Sequence, residues 1–423
     1  MKKQLERLWT RSFFILWQGQ LISTLGDAVY SIALGFWVLS VTGSTALMGT
    51  LMAASTLPGV LVSPFAGVLI DRCNKKRLFI ITDIIRGICI LSLSAAAYSG
   101  KIEIWMTFAA GIILSVCGAL FSPGVQSAMP DLVPKSKVAN ATSAFSIVTV
   151  GSNMIGSVAG GFLFQALGAP ILFLFDGLSF LFSGATIPFV KIPNNTGKNE
   201  KLHFFEDMAE GFRYMWNQTG LRIILLLAAL INFFCFIGIV LFLPLFQSTP
   251  SLGAGKYGVA MGSYMAGAFA GFLLFSIISL KAKHKAKLFI LANIIMDLFT
   301  VIAVNQSSFP LMILFIVVAG FTNSIVNVLL MSTVQTSTHT EVRGKVMSFM
   351  SMITQGLTPF AMAFGGILGA IFPIRSVISA AFLIVLITSV PAFFSKSFKN
   401  YLTAEVKEEN APEPIAEAES AVN

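Results

Sequence analysis

The chain has 423 residues, 56% of them hydrophobic and 11% charged, against roughly a quarter charged in ordinary soluble domains. That excludes a soluble globular protein and points to an integral membrane protein, with 39 phenylalanines to meet lipid and 35 glycines to let helices approach. The net charge of +9 is no nucleic-acid footprint, because the basic residues sit in short clusters between apolar runs.

A helix needs about 20 residues to cross a hydrocarbon core of roughly 30 Å. The N-terminal MKKQLERLWTRSFF starts basic, but the apolar run behind it is too long for a cleaved signal and lacks a small-residue cleavage site. It is expected to remain as the first of twelve spans, placed at 13–40, 46–70, 77–99, 104–128, 138–166, 170–190, 222–247, 257–280, 286–305, 309–334, 344–371 and 374–395.

In the first span Asp27 lies about 21 Å in from Phe13, where a carboxylate costs about 2.5 to 3.5 kcal/mol and is a functional candidate by default. Gln20, Ser23, Thr24, Tyr30 and Ser31 share its face and suggest a wet stripe, so Asp27 is a candidate for carrying a proton or holding a substrate. A structural hydrogen bond between helices is the competing role. In the third span Asp83 and Arg86 are three residues apart and can pair with each other; alternatively Arg86 holds Asp27 or an anionic substrate. Asp176 and Asp297 are weaker candidates. Asn323 and Asn327, one turn apart in the tenth span, serve either as cavity donors or as glue between helices.

Residues 191–221 interrupt the spans with a polar connector in which Phe204, Met208, Phe212 and Met215 recur at helical spacing. They predict an amphipathic helix lying on the inner membrane face or packed on protein. The segment 400–423 is an acidic tail expected to be disordered. Cys73, Cys89, Cys117 and Cys235 show no CxxC spacing and read as ordinary thiols, and His203, His284 and His339 form no ligand set, so neither a metal nor a cofactor is expected. GAGKYG at 253–258 lacks the phosphate-loop pattern, and no catalytic constellation suggests an enzyme.

Orientation follows from the cations. With these spans every Lys and Arg except Arg86, Lys101, Lys256 and Arg375 falls on the side holding both termini, which is therefore expected to be cytoplasmic. The chain also repeats itself: LFIITDII at 78–85 matches LFILANII at 288–295, and Ser143 with Gly160-Gly161 echoes Ser348 with Gly365-Gly366. The expected fold is an all-α membrane protein with twelve transmembrane helices in two six-helix pseudo-repeats. Its divisions are an N-terminal bundle (1–190), the connector (191–221), a C-terminal bundle (222–399) and the tail.

The loop after the second span, with Gly67, Leu69, Asp71, Arg72, Lys75, Lys76 and Arg77, resembles the signature loop of the major facilitator superfamily. VTGSTALMG, PDLVPKSKVANATS, EGFRY and EVRGKVMSF resemble its macrolide-efflux-like and siderophore-exporter-like drug exporters. The resemblance implies a monomeric transporter in the cell membrane, exporting amphipathic drug-like compounds by proton antiport with alternating access. An exporter or flippase of an endogenous compound such as a siderophore or lysophospholipid is the alternative. Gly67, Asp71, Arg72, Lys76 and Arg77 would form a conformational latch, with Gly67 allowing close helix approach. The fourth span lacks the arginine of proton-coupled antiporters, and GSVAGG at 156–161 has Ser157 where their motif has proline, leaving Gly156, Gly160 and Gly161 a packing role.

Overall fold

The structure, a computed structural model, describes residues 8–192, 204–277, 282–336, 338 and 340–395. The tail, the connector before 204, His203, His339, Lys281 and the side chains of Asp71, Arg72, Phe204 and Met208 lie outside that set. Every regular element among the described residues is helical.

Helix α1 (Arg11–Thr42) begins where the Thr10 hydroxyl accepts from the Phe13 amide, satisfying one free N–H of the first turn. It stops at Gly43, whose φ of 63° only glycine adopts cheaply. The expected second span is two helices, α2 (Thr45–Ala54) and α3 (Leu57–Arg72), broken at Ser55–Thr56 because Pro58 cannot donate to the turn before it. Inside a membrane the freed backbone groups need partners. Ser115 supplies them: its hydroxyl accepts from the Gly59 amide at 2.9 Å and donates to the Thr56 carbonyl at 3.4 Å.

Helix α4 (Lys75–Tyr98) is capped by Asn74 and followed by α5 (Ile104–Leu132). The expected fifth and sixth spans form one continuous assignment, α6 (Val138–Thr186), broken at Gly168, whose φ is 73°. Beyond the connector lie α7 (Phe204–Asn217), α8 (Thr219–Ser248), α9 (Ala254–Ile277), α10 (Ala282–Val304), α11 (Phe309–Thr336), α12 (Thr340–Ile371) and α13 (Ile374–Phe394). Nine helices among the described residues are long and apolar enough to cross a membrane, the segment broken at Gly168 counted once.

Helices α1 and α3 to α6 pack chiefly on one another, as do α8 to α13; the groups meet through α2, which packs chiefly on α12, and through α6 on α9. One apolar core, including Phe36, Leu241 and Ile316, is shared by both groups toward the ends that carry Lys101, Lys256 and Arg375. Toward the opposite, basic end the cores separate. Phe13, Phe121 and Phe145 pack in the first group, and Leu221, Phe289 and Phe349 in the second. Helix α7 joins the second of these through Met215, which is fully buried, and through Phe212, 5.4 Å from Phe349. The connector helix is therefore seated on protein, with Trp216 left exposed.

Candidate functional site

Between the separated cores lies a cavity of about 1170 Å³, lined from the break before α3 and from α3, α5, α8 and α12. The break at Ser55–Thr56 puts two hydroxyls on its wall; Ser63, Ser115, Ser122, Ser348 and Ser351 add more, with Asn232, Gln355 and Thr358. Thr358 and Asn232 bond at 3.1 Å, and the Gln355 amide donates to Ser351 at 3.0 Å. Phe236 is the one aromatic residue on this wall among the described residues, and Val60, Pro64, Met347 and Met352 put apolar surface between the hydroxyls.

A second cavity of about 300 Å³ shares Ser55, Thr56 and Ser115 with the first and ends at Asp27, Tyr30, Ser31, Met48, Met52 and Met362. Asp27 is half-buried, and its carboxylate makes no hydrogen bond among the described residues. It is the one ionisable acid or base on either wall among the described residues, Tyr30 aside. Gly26 lets α1 press against α6 here: a Cβ at Gly26 would sit 2.7 Å from the Ser179 hydroxyl and 3.2 Å from the Asp176 Cα. Gln20, Ser23 and Thr24 do not reach either cavity. Gln20 donates to Thr24 at 2.7 Å and Ser23 is buried, so the wet stripe is confined to Asp27, Tyr30 and Ser31.

Behind Asp27, Arg86 pairs with Asp83, and its guanidinium lies 4.7 Å and 4.3 Å from the ring centroids of Phe121 and Phe180. Arg86 therefore lines neither cavity, although Asp27 lies within its electrostatic range. Asp176 is fully buried, with one oxygen 3.5 Å from the Ser179 hydroxyl and the other unpartnered. Its place behind Gly26 is a tertiary fact that no spacing in the chain announces. Tyr30 is buried with its hydroxyl unpartnered. Asn327 donates to the carbonyl and side chain of Asn323, and neither lines either of these two cavities.

At the basic end Lys76 donates to the Pro188 carbonyl at 2.6 Å and Lys75 to the Ser127 carbonyl at 3.2 Å, while the Arg77 amide closes the Asn74 cap. The two lysines tie α4 to α5 and to the turn that follows α6, within one group of helices. Gly67 faces the large cavity, and nothing lies within 4 Å of where its Cβ would be, so the close approach expected of it is not made in this arrangement. The glycine pairs do make close contacts. A Cβ at Gly160 would meet Ile32 of α1 at 3.2 Å, and one at Gly161 would meet Gly258 of α9 at 3.0 Å. Gly156 is set against Ala28. Gly365 sets against Ile237 of α8, and Gly366 against Gly49 of α2. Each pair thus touches its own group with one glycine and the other group with the next.

The family model of the Major Facilitator Superfamily matches residues 16–358 and again 251–421. The chain belongs to the Major Facilitator Superfamily. It is 24% identical over 227 residues to macrolide efflux protein A of Streptococcus pyogenes; the match covers 53% of this chain and 56% of that relative's length. To multidrug efflux pump Tap of Mycobacterium bovis (strain BCG / Pasteur 1173P2) it is 20% identical over 84% of this chain and 86% of the relative. Among solved structures, nucleoside transporter NupG superposes with a TM-score of 0.71 at 13% identity, covering 94% of this chain and all of that one. A bacterial homologue of the iron transporter ferroportin in its inward-facing state gives 0.66 at 15% identity, over 91% and 99%. These likenesses establish the fold of this superfamily member.

Proposed function

We propose that this member of the superfamily exports large amphipathic compounds of the macrolide or multidrug type across the cytoplasmic membrane by proton antiport. The single observation that carries the reading is Asp27, an acid without a hydrogen bond to its carboxylate among the described residues, on the wall of a cavity that adjoins the larger, hydroxyl-bearing one between the two helix groups. A polar but uncharged wall can hydrogen-bond a substrate with many oxygens without fixing one orientation. A lone carboxylate at its end can take up a proton as a substrate cation leaves, which couples the two movements. The macrolide and multidrug efflux relatives support the drug reading. The polypeptide is read as twelve crossings in two six-helix halves, with the basic end cytoplasmic and the cavity accessible from inside, as a monomer.

The test is drug accumulation in everted membrane vesicles energised by a pH gradient, with macrolides and cationic dyes as substrates. Export should collapse when the gradient is dissipated. Asp27→Asn should remove pH-driven export while leaving substrate exchange across the membrane intact, because the neutral side chain mimics a carboxyl that never releases its proton. Undiminished uphill export by that variant overturns the assignment.

A further inference from the structure

We propose that Asp297, in the middle of α10, is a second proton-carrying site, separate from Asp27 and used in the same transport cycle. Asp297 is fully buried, and neither of its carboxylate oxygens has a partner. One turn before it, Asn293 is also fully buried, with both amide heteroatoms unpartnered. Buried polar groups are ordinarily hydrogen-bonded, and buried carboxylates are ordinarily paired with a cation. Four unpartnered atoms on one helix face break both rules at once.

The charges that could neutralise Asp297 are distant or absent. Helix α11, packed along α10, carries no ionisable side chain. Helix α13, its other neighbour, carries only Arg375 in its first turn. The Asn305 amide donates to Ser379, which fixes the register of these antiparallel helices and puts Arg375 about 18 Å along the axis from Asp297. The cations of α10 itself, Lys283 to Lys287 with His284 among them, sit in its first two turns, about 15 Å away at the nearest. From α8 the Cys235 thiol lies within electrostatic reach of Asp297. No group of three or more metal-ligating residues occurs among the described residues, and too few oxygens converge to hold a metal ion. What remains is a carboxyl group carrying its own proton.

The internal repeat sharpens this. Aligning LFIITDII with LFILANII pairs Asp83 with Asn293, Arg86 with Met296 and Gly87 with Asp297. In α4 the acid meets its own cation one turn on; in α10 the cation is gone and the acid has moved by a turn. A permanently neutral ion pair in one half thus faces an acid that can gain or lose a proton in the other. Because α10 is sealed by α11 and α13 here, the proton is held in this arrangement and released in the one where those contacts loosen.

The proposal rests on the export reading for its transport arm only, and two measurements separate the two. Infrared difference spectroscopy of the purified full chain in nanodiscs reads the carbonyl stretch of a protonated carboxyl. A deuterium-sensitive band should be present at neutral pH, lost in Asp297→Asn and shifted in Asp297→Glu. In proteoliposomes at a fixed pH gradient, the substrate ratio reached at equilibrium depends on the number of protons exchanged, and losing one lowers it about tenfold per pH unit. Asp297→Asn should show that drop, while Asp27→Asn, which removes the group where proton and substrate trade places, abolishes uphill export altogether. If no band belongs to Asp297, it is ionised and the proposal fails. If the band is lost but the ratio is unchanged, the proton is static and the carrying role fails. If the wild-type chain shows no pH-driven export, the carrying role falls together with the function proposed above, while the infrared result still decides the protonation.

Discussion

Arg86 is the residue on which the polar interior of the first six helices balances. It pairs with Asp83 and is wedged between Phe121 and Phe180, while Asp176 and Asp27 lie within its field. Removing one member of a buried pair leaves the other charge uncompensated at a cost of about 3 to 5 kcal/mol. Arg86→Gln should therefore lower the unfolding midpoint in detergent sharply, and Asp83→Asn in the same background should recover part of the loss. The pairing of Asp83 with Arg86 was legible from their spacing, as was an acid deep in the first span at Asp27. The stripe from Gln20 to Thr24 misled because a helical face tells direction, not depth: α6 covers that part of α1, with a Cβ at Gly19 only 3.0 Å from the Ser183 hydroxyl. Asp176 acquired its importance only through the close approach at Gly26, which no local pattern encodes.

At the scale of single elements, breaks do more than continuous helices to shape the cavity. Ser115 bridges the gap between α2 and α3, and Ser115→Ala would leave the Gly59 amide dependent on water from the cavity. A loss of about 1 kcal/mol is expected, read as a lowered thermal midpoint, with Ser115→Thr retaining most of the stability. The break at Gly168 tests differently. Its backbone, at φ 73° and ψ 172°, occupies a region essentially only glycine visits, at a cost of about 1 to 3 kcal/mol for other residues, so Gly168→Ala should destabilise without touching either cavity. Helix positions were readable because about 20 apolar residues in a row admit few other meanings, although nine segments rather than the expected twelve qualify as spans among the described residues. The break at Ser55–Thr56 was signalled by Pro58, but whether a proline bends a span or ends a helix depends on a partner such as Ser115, which lies far away in sequence.

For the molecule as a whole, the separation of cores at one end and their union at the other is the decisive feature. The sidedness read from the cations predicts that cysteines at positions 75 and 284 react with an impermeant reagent from one side of the membrane, and those at 101 and 256 from the other; labelling of intact cells and everted vesicles checks this. The joined end closes by backbone meeting backbone. A Cβ at Gly49 would lie 2.7 Å from the Gly366 Cα, one at Gly258 would lie 2.7 Å from the Val158 carbonyl, and Thr45 donates to Gly366 at 2.9 Å. Gly366→Leu should wedge that end apart and make the Met362 level reachable from the Lys101 side, measured by cysteine accessibility. The repeat at Gly160-Gly161 and Gly365-Gly366 was visible in the chain; that one glycine of each pair binds its own group and the next its counterpart was not, because neighbouring positions on a helix point in different directions only once both partners are in place. Helix α2 contains no charged side chain, so the clasp between Thr45, Gly49 and Gly366 has no Coulombic component for dissolved salt to weaken. The balance between its shut and parted forms should be indifferent to ionic strength and instead follow the thickness and lateral packing of the surrounding lipid, which makes bilayer composition the natural dial on how fast this protein turns over.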